Sequence, residues 1–158
     1  MDFSVLTTLR AEDGADATEW VVERVTQVPL GLPYAEQIRL LQPEIDALDH
    51  LAIDAGGSGQ ALPELVRGAR LKTLVPVVIT GGTGKGKVVK GRVTVGKTAL
   101  IQGMMQQVYH RELRVDSGAP GRDLLLSEMR SFQYLPDGRF RRMESARGKH
   151  DDAVLATA

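Results

Sequence analysis

The sequence predicts an α/β protein with a mixed β-sheet flanked by helices. Three observations carry this. The chain opens with two β-rich segments, Ser4–Arg10 and Glu19–Val28, which read as a hairpin. Two short apolar runs follow, His50–Asp54 and Leu74–Thr80, of the length and content of strands buried on both faces. Between and after these runs lie segments of helical spacing, and a hairpin followed by strands alternating with helices argues for α/β with a mixed sheet.

The elements follow in order. Ser4–Arg10 carries Val, Leu and two Thr, residues that fit a pleated surface. Ala11–Thr18 is acidic and contains Gly14, so it reads as the turn before the second strand. Leu30-Gly31-Leu32-Pro33 ends that strand. Tyr34–Ala47 places Ile38, Leu41 and Ile45 at helical spacing, with Pro43 expected to disturb it. After His50–Asp54, Ala55–Gly59 is a glycine-rich turn and Gln60–Ala69 reads as a helix with Pro63 in its first turn. Gly81–Gly91 reads as a Gly/Lys loop, Arg92–Val95 as extended, and Lys97–Arg111 as a helix with apolar residues at Leu100, Ile101, Met104, Met105 and Val108. Arg122–Phe132 is a further helix. Gln133–Glu144 is a hairpin turning at Pro136-Asp137-Gly138, and Asp151–Ala158 begins a last helix.

The 158 residues suggest a single domain, 1–158, with a core of Val, Leu, Ile and Ala because aromatics are few. With no cysteine, disulfides and Cys-ligated zinc are excluded. No apolar run is long enough to span a bilayer, and the first residues lack the pattern of a signal peptide, so a soluble, cytoplasmic protein with no membrane partner is expected. Net charge is zero but segregated. Residues 1–66 hold 12 acids and 3 bases, and residues 67–158 hold 8 acids and 17 bases, which points to a basic surface for a polyanion.

Asp54 closes the His50–Asp54 run, and a carboxylate at the C-terminal end of a buried strand is well placed to face a ligand. Asp151 and Asp152 open the last helix. Acids brought together by a fold suit a hard cation such as Mg²⁺ or Mn²⁺. The plainer reading makes Asp54 a turn residue before Gly56-Gly57 and the later acids a helix cap. Lys85, Lys87, Lys90 and Arg92 form a cluster suited to a phosphate backbone, or else a solvated loop. Gly91–Thr98 fits the pattern of a phosphate-binding loop, but its variable residues Arg92-Val93-Thr94-Val95 favour a strand, so nucleotide binding is the less favoured alternative. His50, His110 and His150 show no metal-ligand spacing.

In order, several stretches resemble the C-terminal nuclease domain of the phage large terminase subunit. They are Asp2-Phe3-Ser4-Val5-Leu6, Gln27–Tyr34, Ile53-Asp54-Ala55-Gly56-Gly57-Ser58-Gly59, Val75–Gly82 and Gly148-Lys149-His150-Asp151-Asp152-Ala153-Val154. The resemblance implies an RNase H-like sheet and a two-metal endonuclease that cuts concatemeric viral DNA during packaging. It makes Asp54 the second metal acid and Asp151 and Asp152 the C-terminal acidic pair, with Mg²⁺ or Mn²⁺ as cofactor. It implies double-stranded DNA as substrate, other phage packaging proteins as partners, and a bacterial host cell or prophage as setting; the basic balance of the half from Arg67 onward makes Lys85, Lys87, Lys90 and Arg92 of the Gly/Lys loop, with Arg141 and Arg142 on the hairpin, the candidate DNA contacts. The family's first metal acid lies on a central strand upstream of the position matched by Asp2. The sheet is therefore expected to lack that strand, cleavage to be weak or absent, and the protein to self-associate. The alternative is a non-catalytic module that binds DNA or protein.

Overall fold

The computed structural model describes residues 4–14, 18–137, 140–146 and 150–158, with the side chains at 58, 133–137, 140–142 and 144 outside the description. In chain order the elements are strands β1 (Val5–Asp13) and β2 (Thr18–Gln27), helix α1 (Tyr34–Ile45), strand β3 (His50–Asp54), a 3-10 turn (Gly57–Ala61), helix α2 (Leu62–Leu65), strands β4 (Thr73–Thr80), β5 (Lys87–Val89) and β6 (Arg92–Gly96), helix α3 (Lys97–Tyr109), strand β7 (Leu113–Val115), helix α4 (Arg122–Ser131), strands β8 (Phe132–Asp137) and β9 (Phe140–Ser145), and helix α5 (Asp152–Thr157). The fold is mixed α/β, as predicted. The strands form two mixed sheets, ordered β1-β2-β7 and β3-β4-β6-β5, and a separate β8-β9 hairpin, where the sequence suggested one sheet. The chain divides into two compact units, Met1–Leu30 with Thr98–Ala158, and Gly31–Lys97.

The first unit is organised around β2. Its neighbours are β1, antiparallel, and β7, parallel, so it is the central strand. Consecutive residues of a strand face opposite sides. Val21 and Val22 are both fully buried, so β2 is covered on both faces. The core continues through Val25, Ile101 and Met104 of α3, Leu113, Leu125 and the α5 residues Ala153 and Val154. The short strand β7, not foreseen in the sequence, is fixed to β2 by register and by the Glu112 carbonyl accepting the Trp20 amide at 2.6 Å. Gly121 has φ +76 and lies against the Val25 carbonyl, where a Cβ would collide with backbone, so glycine is required there.

The second unit contains the parallel strands β3, β4 and β6, with β5 antiparallel at one edge. His50–Asp54 corrects one expectation. Only Leu51 is buried, while His50, Ala52 and Asp54 are exposed, so the strand is covered on one face rather than two. It lies at the sheet's edge and, among the described residues, pairs only with β4. Pro76 is tolerated inside β4 because the pairing with β6 begins one residue later, at Val77. The helix expected over Gln60–Ala69 is reduced to Leu62–Leu65. Beyond it the backbone bonds tighten from four-residue spacing at Val66 to three-residue spacing at Arg67 and Ala69, around Gly68. Part of the expected Gly/Lys loop is strand β5, which pairs with β6 through a Lys90-Gly91 turn. Both turn residues have positive φ, 50 and 76, matching the tight-hairpin geometry in which glycine is favoured.

Candidate functional site

Asp54 stands at the C-terminal end of β3, opposite Val77, and β4 runs on to Thr80. Its side chain is exposed, and its Oδ1 accepts the Gly56 amide at 2.7 Å. The Asp-Ala-Gly sequence thus closes as a side-chain turn, which holds the carboxylate at the strand end. The chain then folds back so that Gly59 sits beside the Asp54 carbonyl. A Cβ there would lie 2.6 Å from that oxygen. Glycine at 59 is what lets this turn stay tight against the strand.

Asp151 occupies the N-cap position of α5 and Asp152 its first turn, both half-buried. Asp152 Oδ2 lies 3.6 Å from His150 Nδ1. The helix amides are not capped by Asp151, contrary to the plainer reading of the sequence. Glu128 of α4 does this, its Oε2 accepting the amides of Ala153 at 2.8 Å and Val154 at 3.2 Å. Glu128 is buried, and its Oε1 has no hydrogen-bond partner among the described residues. Burial pushes its carboxyl above the usual range. The two amides oppose that shift, and the charges of Asp152 and Asp151 add to it. Sequence reading missed Glu128. No local pattern marks it, because an acid in Arg122–Ser131 reads as an ordinary helical residue until the fold sets the α5 amides against it.

Asp54 belongs to the second unit and Asp151 and Asp152 to the first. Among the described residues, no three His, Asp or Glu side chains are grouped so as to hold a metal ion. Oxygen donors of the right chemistry for Mg²⁺ or Mn²⁺ are present, but they do not make up a complete ligand set.

The basic residues of the second unit are arranged differently from a flexible loop. Lys87 lies on β5, Lys90 in the turn and Arg92 at the start of β6, with Lys85 just before the hairpin. All four are exposed. No Asp or Glu occurs between Glu64 and Glu112, and none of the four cations has an ion-pair partner among the described residues. Val88 and Val89 are also exposed, at 75% and 44%. The hairpin is therefore a cationic projection with an apolar element. Arg141 and Arg142 lie on β9, and their side chains fall outside the described residues. The phosphate-loop pattern is resolved by β6. Arg92–Gly96 is a strand between β4 and β5, so its backbone serves the sheet rather than a phosphate.

The first unit also has a half-open cleft of about 260 Å3 lined by Met104, Val108, Leu113, Leu125, Met129 and Arg122 among others. None of the acids or lysines singled out above lines it. No helix among the described residues is long and apolar enough to cross a membrane. The chain matches no family profile, no curated protein and no solved structure.

Proposed function

We propose that the chain is a DNA-binding module of the terminase-nuclease kind, which grips the phosphate backbone of duplex DNA through the β5–β6 hairpin. The observation that carries this reading is the hairpin itself. Lys85, Lys87, Lys90 and Arg92 are exposed on a paired scaffold without neighbouring acids in sequence. Fixed cations of one sign attract a polyanion and release its counterions, so binding is sequence-independent and falls steeply with salt. The order of the matching motifs along the chain supports the assignment to this class.

Duplex binding measured between low and physiological salt tests the proposal. The expected result is a steep linear fall of log affinity with log salt. Reversing Lys87 and Lys90 to Glu should reduce that slope by about two, one for each phosphate no longer neutralised. Undetectable DNA binding at low salt would overturn it.

A second reading, a Mg²⁺- or Mn²⁺-dependent endonuclease, is favoured by one specific observation. Asp54 presents an exposed carboxylate at the C-terminal end of a parallel strand, held from one side by the Gly56 amide. The described donors do not complete a metal site, so no hydrolytic step follows from them. The expectation for this chain is weak Mn²⁺ binding that drops in Asp54→Asn, and little or no nicking of plasmid DNA. Equal Mn²⁺ binding by both proteins removes Asp54 from the site. Robust nicking abolished by Asp54→Ala would mean that further groups complete it.

A further inference from the structure

We infer that the outer edge of β3 is a homodimer interface, in which two copies pair this strand antiparallel about a two-fold axis at Ala52. This does not rest on the nuclease or DNA-binding readings. The direction of the edge groups follows from the bonds the strand already makes. The Asp49 carbonyl accepts amides from Lys72 and Thr73, and the Ala55 amide donates to Val77 at 2.6 Å. Residues of a strand alternate in the side to which their amide and carbonyl point. Odd-numbered residues therefore serve β4, and the amides and carbonyls of His50, Ala52 and Asp54 point outward. No strand meets them among the described residues.

The sequence of this edge, His50-Leu51-Ala52-Ile53-Asp54, complements itself when reversed. With Ala52 opposite Ala52 of a second copy, the two exchange a pair of hydrogen bonds, and the smallest side chain of the strand sits where two identical residues must meet. His50 falls opposite Asp54 of the second copy, twice by symmetry, on the face where both are exposed. An imidazole N–H directly facing a carboxylate can donate a hydrogen bond to it, and such cross-strand pairs stabilise a sheet. Leu51 falls opposite Ile53 on the other face, at the closer, non-hydrogen-bonded spacing. The Asp54 amide can donate to the His50 carbonyl of the second copy. The Asp54 carbonyl is flanked by Gly59 and takes no part in the pairing. The result is an isologous interface that joins two four-stranded sheets into one and removes both apolar edges from solvent.

A strand from an unrelated protein has no reason to match this pattern of charge, size and spacing, whereas a second copy matches it by construction. Sedimentation equilibrium at micromolar concentrations, with circular dichroism to verify folding, is the test. Wild type should dimerise. Ala52→Pro should weaken dimerisation at least about tenfold, since it removes the outward amide without touching a bond to β4. His50→Asp should dissociate the dimer by placing carboxylates opposite each other. The double variant His50→Asp with Asp54→His should restore association by reversing the pair. The swap also decides the matter if Ala52→Pro fails to fold. A wild type that stays monomeric, or a dimer indifferent to both Ala52→Pro and His50→Asp, would overturn the inference.

Discussion

Glu128 links α4 to the start of α5 through one buried side chain. It holds two amides at the start of α5 with one oxygen and leaves the other buried without a partner among the described residues. Because the folded carboxyl is shifted upward, the folded state binds the proton more tightly than the unfolded state does. Stability linked to this group is therefore fully present at low pH and declines as pH rises from the ordinary glutamate range through the raised folded value. Glu128→Gln removes that titration. Thermal melts across this range should show the variant gaining on wild type as pH rises, and a constant difference would exclude the assignment. Half-buried Glu12 has the opposite sign. Hydrogen bonds from Arg10 and then Arg114 lower its carboxyl, so its contribution is present at neutral pH and is lost on acidification. Neither role was legible in the sequence. An acid at position 128 looks like any exposed helical glutamate until the fold places the α5 amides against it.

Gly121 ties the element before α4 to β2. The Pro120 carbonyl accepts the Val25 amide at 2.9 Å, and the next residue turns with positive φ directly against the Val25 carbonyl. Adding a methyl group meets backbone that cannot yield as a flexible side chain would. Gly121→Ala should cost roughly 2–4 kcal/mol from strain and overpacking together. The measurement is the urea midpoint, with the slope unchanged from wild type. A loss below about 0.5 kcal/mol would mean that the turn can relax.

At this scale most of the strands and long helices were readable. Hydrophobic period and turn residues mark β1, β2, β4, α3 and α4 within a few residues. What the sequence obscured were the short pieces. β5 is three residues followed by Lys90-Gly91, and its glycine-rich approach masks the Val-Val run that pairs with Val93. β7 is three residues held by a partner more than ninety positions away. His50–Asp54 reads as a strand, but apolar content alone could not tell an edge from a centre. The candidate acids were legible as residue types in position. Their environments were not, because Glu128 and Gly59 act through contacts that no local pattern records.

On the scale of the whole molecule, the second unit is a continuous segment, whereas the first is assembled from two segments on either side of it. That arrangement sets an order of events in time. Leu51 pairs with Leu74 across 23 positions, while Trp20 pairs with Leu113 across 93, a fourfold longer closure. Two doublings of loop length add about 1.2 kcal/mol of closure entropy, and nothing in β1 and β2 can complete its core until α3, β7 and α4 have emerged. The inner segment should therefore acquire structure first, and the outer segments should close after it. Pulse-labelled hydrogen exchange during refolding should find the amides of β3 and β4 protected before those of β7. On a ribosome β1 and β2 would wait, with Val21, Val22 and Val25 exposed, through the synthesis of about a hundred more residues, to the end of α4 at Ser131. That interval is when this chain most needs a chaperone, and a slower-translating message would lengthen it.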